Sequence, residues 1–159
     1  MKKKMKTILS LTLASVALVC SLGISGQAYA DNDFRGWPTL RSGSTGGYVR
    51  ALQSNLWAYG YQSTVGSVDG SFGSGVTSAV RAFQTKFGLT SDGVVGSGTW
   101  NRMSQNVVTE ATDYIFYLDT PYSSTYWVNY YHPGANTSTL NYDLMYKGGN
   151  STVNTGRVY

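Results

Sequence analysis

The chain has 159 residues, with 12 Lys and Arg against 8 Asp and Glu, and one cysteine. Its positive excess comes from Lys2, Lys3, Lys4 and Lys6, so residues 31–159 carry equal numbers of each sign. The basic balance therefore reports the N-terminus and not a phosphate-binding face, and nucleic acid is excluded as an expected partner.

The four lysines precede an apolar stretch from Ile8 to Ile24, interrupted by Ser10, Thr12, Ser15 and Ser21, and then Ala28-Tyr29-Ala30. A positive start, an apolar core and small residues before Asp31 predict a cleaved secretory signal peptide over 1–30. The stretch is too short and too rich in Ser and Gly for a spanning helix, which takes ~20 apolar residues. Val19 before Cys20 disfavours a lipid anchor there. Cleavage after Ala30 removes Cys20 and leaves neither a disulfide nor a thiolate. The exported chain is then expected to have no membrane span.

What remains is about the size of one domain, but composition divides it. Residues 31–39 read as a lead-in. Residues 40–104 are punctuated by Gly and Ser and show helical periodicity. Residues 105–112 read as a linker, and 113–159 as a region rich in Tyr and Thr. Nine of the 13 tyrosines lie beyond residue 110.

Three helices are predicted in 40–104. Val49, Leu52, Leu56 and Tyr59 share one helical face, with Ser44 expected as N-cap and Gly60 as stop. Val76, Ala79, Val80, Phe83 and Phe87 share another, which stops at Gly88. A third, short helix is expected to be capped by Ser97, with Trp100 and Met103 pointing one way. Two loops repeat each other, Asp69-Gly70-Ser71-Phe72-Gly73 and Asp92-Gly93-Val94-Val95-Gly96. In each, Asp-Gly favours a tight turn, the apolar residue drops into the core, and the second Gly leads into a helix. Asp69 and Asp92 are read as turn-capping groups, and Gln53 and Gln84 as ties between loop and helix. Leu52, Leu56, Val80, Phe83, Leu89 and Val95 are the expected core.

These residues carry a resemblance. Leu40-Arg41-x-Gly43-Ser44, Val49-x-x-Leu52-Gln53-x-x-Leu56, Gly60-Tyr61, Asp69-Gly70-x-Phe72-Gly73, Thr77-x-Ala79-Val80, Phe83-Gln84, Gly88-Leu89, Asp92-Gly93-x-Val95-Gly96 and Thr99-Trp100 follow one another in order. The stretch 40–104 resembles the type-1 peptidoglycan-binding domain family, a three-helix module attached to many bacterial wall hydrolases. One departure is an extra step between Gly73 and Thr77, which predicts a slightly late start to the second helix. The resemblance implies binding to murein, either glycan strand or stem peptide, without catalysis by the module.

A small rigid module binds sugar or peptide through aromatic platforms with polar groups beside them. Tyr61, Ser71 and Arg81, with Trp57 as a fourth, are the expected ligand-binding residues. Trp57 and Trp100 could equally pack between helices.

The C-terminal part reads as strands over 114–118, 125–131, 139–146 and 152–159, with a turn at Gly148-Gly149-Asn150. The expected fold class is α plus β, a three-helix domain followed by an antiparallel meander or small sandwich. Its tyrosines are read first as half-buried strand residues, with sugar stacking and association as alternatives. Asn136 and Asn150 open glycosylation-type triplets of little weight in a bacterial wall protein.

Catalytic sets are missing. A zinc site needs several histidines, and the chain has only His132. His132 with Asp119 or Asp143 lacks a nucleophile motif. Glu110 is the sole glutamate, with Asp113 and Asp119 nearby, and offers a weak glycosidase pair. No metal, cofactor or enzymatic activity is expected. The reading is a secreted, wall-associated, non-catalytic peptidoglycan-binding protein. A wall hydrolase or its accessory, and a bacteriocin-like effector delivered by the module, are the alternatives. A protein partner of the β region stays open.

Overall fold

Helix α1 (Gly47–Ala58) carries two buried faces, one apolar and one of small and polar residues, and that decides the architecture. Val49, Leu52 and Leu56 face the helical core, while Ala51, Ser54, Asn55 and Ala58 are also buried. A helix buried nearly all round needs cover on both sides. One side is met by α3 (Ser74–Lys86), the other by a C-terminal sheet. The computed structural model describes residues 34–109, 115–133 and 138–159. The expected signal peptide with Cys20, and Glu110, Asp113, Tyr114 and Asn136, lie outside them.

The helical part has four helices, not three. Besides α1 and α3 there is a single turn, α2 (Gln62–Val65), and α4 (Ser97–Ser104). A one-turn helix leaves no periodicity to read, since only Val65 is buried in it. Both predicted glycine stops hold, each closing a Schellman motif. Gly60 (φ 86°) donates to the Trp57 carbonyl and Tyr61 to that of Leu56; Gly88 (φ 70°) donates to Thr85 and Leu89 to Gln84.

The predicted N-caps shift. Gly46 caps α1, and Ser44 instead accepts at Oγ from the Arg41 N–H, closing a turn ahead of the helix. Gly96 caps α4, which makes Ser97 its first residue. Helix α3 begins directly after Gly73 and is not delayed: Thr77 is already within it, its N–H and Oγ both donating to the Gly73 carbonyl. Leu89 is half-buried against the core rather than inside it.

The C-terminal part is one five-stranded antiparallel meander in the order β1-β2-β3-β4-β5. The strands are β1 (Val107–Thr109), β2 (Ile115–Leu118), β3 (Tyr126–Tyr131), β4 (Asn141–Tyr146) and β5 (Ser151–Arg157). Strand β1 lies within the stretch read as a linker. Alternation places Phe116, Leu118, Val128, Tyr130, Tyr142 and Leu144 on the inner face, all buried. Tyr117, Trp127, Asn129, Tyr131 and Asp143 lie on the outer face, half-buried. A register shift between Leu144 and Met145 leaves Val153 unpaired as a bulge residue on β5.

The inner face lies on α1. The Tyr130 hydroxyl donates to Asn55 Oδ1 at 2.7 Å, and Thr120 Oγ1 donates to the Ala58 carbonyl. Only small side chains on that side of α1 allow such an approach. Phe34, from the lead-in, is fully buried between the two parts. Its ring lies 5.9 Å from that of Trp100, 6.1 Å from Phe116 and 5.5 Å from Tyr130. One continuous set of buried side chains thus runs from the helices into the sheet.

Candidate ligand-binding site

The two Asp-Gly loops are held by the same clamp. Gln53 Nε2 donates to Asp69 Oδ1 at 2.8 Å and to the Ser71 carbonyl at 3.2 Å, while its Oε1 accepts from the Gly70 N–H at 2.8 Å. Gln84 Nε2 donates to Asp92 Oδ1 at 2.8 Å and to the Val94 carbonyl at 2.9 Å, and its Oε1 accepts from the Gly93 N–H at 2.9 Å. Each aspartate also accepts from the N–H two residues on, Ser71 or Val94. The repeat extends into the helices as Val49-Arg50-Ala51-Leu52-Gln53 and Val80-Arg81-Ala82-Phe83-Gln84. Both amides are spent on backbone and carboxylate, so Gln53 and Gln84 tie loop to helix as expected.

The clamps set the electrostatics. The Gln53 amide, then the Ser71 N–H, hold the Asp69 carboxyl below its ordinary range, with Arg50 adding a smaller effect. For Asp92 the Val94 N–H comes first, then Gln84, with Arg81 again minor. Glycine is required at both turns. Gly70 and Gly93 have φ of 81° and 76°, and a Cβ would meet the Arg50 and Arg81 side chains respectively at 3.1 Å. Each arginine is therefore laid across its own turn.

The four expected ligand residues do not form one cluster. Trp57, in the last turn of α1, donates from Nε1 to the Gly66 carbonyl at 3.0 Å and keeps part of its ring exposed. It lines a shallow groove of about 490 Å³ with Gln62, Ser63, Gly66 and Ser67. Tyr61 sits at the head of α2, one residue before the groove residue Gln62 but not among the lining residues, half-buried against the core, and burial pushes its hydroxyl pKa up. Ser71 is exposed in the first Asp-Gly loop, where its backbone pairs with Thr45. Arg81 is exposed on α3 at the second loop. Trp100, by contrast, is fully buried and donates to the Pro38 carbonyl at 2.9 Å, so its ring is core.

Of the residues weighed for catalysis, His132 and Asp119 are engaged elsewhere, and Glu110 and Asp113 lie outside the described residues. His132 Nδ1 lies 2.8 Å from the Thr139 carbonyl, which makes it the protonated nitrogen. Asp119 pairs with Lys147 Nζ at 2.6 Å. Asp143 lies across from Asn129 and Thr155 on the outer sheet face. Among the described residues no group of three His, Cys, Asp or Glu could hold a metal ion, and no helix is long and apolar enough to cross a membrane.

Two surface features escaped sequence reasoning. The groove depends on α2, which has no periodic signal. The second is a sheet ring, Tyr126, whose centroid lies 5.0 Å from that of Trp57.

Residues 45–103 match the family described as "Putative peptidoglycan binding domain", and this helical part of the chain belongs to it. The chain is 39% identical over 67 residues to the zinc D-Ala-D-Ala carboxypeptidase of Streptomyces albus G, covering 42% of this chain and 26% of that one. It is 40% identical over 75 residues to a spore cortex-lytic enzyme of Bacillus cereus, covering 47% and 26%. The SleB N-terminal domain, a solved structure, is 42% identical, with 41% and 86% covered and a TM-score of 0.39. The chain thus spans about a quarter of the length of the two enzymes.

Proposed function

We propose that this is an exported, non-catalytic protein that binds cell-wall peptidoglycan through its helical domain. The N-terminal pattern of lysines, apolar core and Ala28-Tyr29-Ala30 supports export and wall association. The observation that carries the reading is the wall-binding domain over 45–103 with both Asp-Gly clamps intact. The contact surface is placed at the groove beside Trp57 and Tyr61, with Ser71 and Arg81 as outlying contacts on the two loops. A neutral groove bordered by a tryptophan suits a weakly charged polymer.

The test is co-sedimentation of the chain from residue 31 onward with purified, protein-free sacculi. Binding is expected, and Trp57→Ala should weaken it about tenfold, as for a ring at the centre of a contact. Absence of any sedimentation would sink the reading.

A second reading is a wall hydrolase or an accessory to one, because the named relatives are wall-cutting enzymes. Their resemblance is confined to less than half of this chain. Murein zymography separates the two: a clearing band abolished by His132→Ala or Glu110→Gln would overturn the non-catalytic assignment.

A further inference from the structure

The inner sheet face does not end where the helices stop covering it. Its last register pair, Tyr126 and Tyr146, projects past the buried rows and comes alongside Trp57. Ring centroids run from Trp57 to Tyr126 at 5.0 Å and from Tyr126 to Tyr146 at 6.2 Å, with planes tilted by 58° and 60°. Trp57 and Tyr126 are half-buried, and Tyr146 is 43% exposed.

The row is fixed in place. A Cβ on Gly148 would fall 2.5 Å from the Tyr146 ring, so the β4–β5 turn backs that ring closely. The next residue, Lys147, donates from Nζ to Asp119 at 2.6 Å and to the Ser123 carbonyl at 2.8 Å, tying the end of β4 to the β2–β3 loop. That loop in turn rests on the end of α1 through Thr120. The three rings therefore lie on one braced junction between the helices and the sheet.

The geometry points to a composite glycan site. Trp57, Tyr126 and Tyr146 seat successive sugar rings of one polysaccharide strand, and Gln62, Ser63 and Ser67 meet the hydroxyl and acetamido groups beside the first. Charge selects the occupant. Every residue lining the groove is uncharged, and Lys147, the cation next to the row, is neutralised by Asp119. Stem peptides carry free carboxylates and amines that such a surface leaves unpaired, whereas neutral sugar rings present apolar faces to tyrosine and tryptophan and hydroxyls to amide and serine. Successive ring planes that turn along the row suit a strand whose units also rotate. This deepens the wall-binding reading and rests on it: the ligand is the glycan, and the sheet supplies half of its site.

The experiment compares three probes with the chain from residue 31 onward: intact sacculi, peptide-free glycan strands and free stem peptides. Sacculi and glycan strands are expected to bind and stem peptides not to. Tyr146→Ala and Tyr126→Ala should each weaken glycan binding about three- to tenfold, while Trp127→Ala on the outer face should leave it unchanged. Thermal melts of each variant separate lost contact from lost fold, and Tyr146→Ala, at an exposed ring, should melt like the parent. Sacculus binding without glycan binding would overturn this site and spare the wall-binding reading. Tyr146→Ala binding like the parent, or Trp127→Ala losing glycan instead, would also overturn it. No binding to sacculi would overturn both.

Discussion

At the scale of single residues, the two glutamine clamps carry the heaviest demands. Gln84→Ala leaves the buried Gly93 N–H without an acceptor and frees one side of Asp92, so a loss of about 1–3 kcal/mol is expected in urea denaturation. Gln84→Glu keeps the acceptor for Gly93 but sets a second carboxylate against Asp92. Its penalty should be largest at neutral pH and shrink on acidification as the pair takes up a proton. Asp69 and Asp92 titrate below the ordinary carboxylate range in the folded chain. Their stabilisation is therefore complete above that range and is lost as pH falls through their lowered values. A urea midpoint followed from neutral into acid should drop, and Asp69→Asn with Asp92→Asn should flatten that limb. The Tyr130–Asn55 bond is the corresponding tie across the junction. Asn55 is fully buried and its Nδ2 has no partner among the described residues, so Tyr130→Phe strips the amide of its Tyr130 bond and should cost about 1–3 kcal/mol.

At the scale of elements, α1 is the part whose second role was hidden. Leu52 and Leu56 announce a core face because they are large and apolar. Ala51, Ser54, Asn55 and Ala58 announce nothing, since small and polar residues at helical spacing read as a solvated side. They are buried because a sheet lies on them, and they are small because it lies close. Gly47 marks the same approach at the helix start, where a Cβ would fall 2.2 Å from the Arg157 carbonyl. Gly47→Ala must push α1 and β5 apart and should cost about 1–3 kcal/mol. Gly98 in α4 is the control, with nothing within 4 Å of its Cβ position. Gly98→Ala should stabilise by up to about 1 kcal/mol, the helix-propensity difference. The strands β2 to β5 were readable from runs of β-forming residues and turn residues, and the alternation of Tyr142, Leu144 and Tyr146 marked β4 most clearly. The three-residue β1 was not, because Val107–Thr109 is too short to alternate.

At the scale of the whole molecule, Phe34, Trp100, Phe116 and Tyr130 form one packed group drawn from the lead-in, a helix and two strands. We expect helix and sheet to unfold together. Far-UV circular dichroism and the fluorescence of Trp37, Trp57, Trp100 and Trp127 should share one urea midpoint, and Phe34→Ala should cost about 3–5 kcal/mol and lower that midpoint. Two separate transitions would show that the parts fold independently. Local chemistry alone determined the Asp-Gly turns, the glycine stops, the long helices and the main strands, because each depends on residues close in sequence: a turn, a cap, a period. It also carried the family resemblance, since those positions are structural. The tertiary structure decided which side of α1 is covered, where Phe34 goes, and which rings stay at the surface. Trp57 and Trp100 look alike in sequence, yet one borders a groove and the other is sealed in the core. That difference arises from what the rest of the chain lays over each ring, a long-range property that neither residue's own neighbours encode.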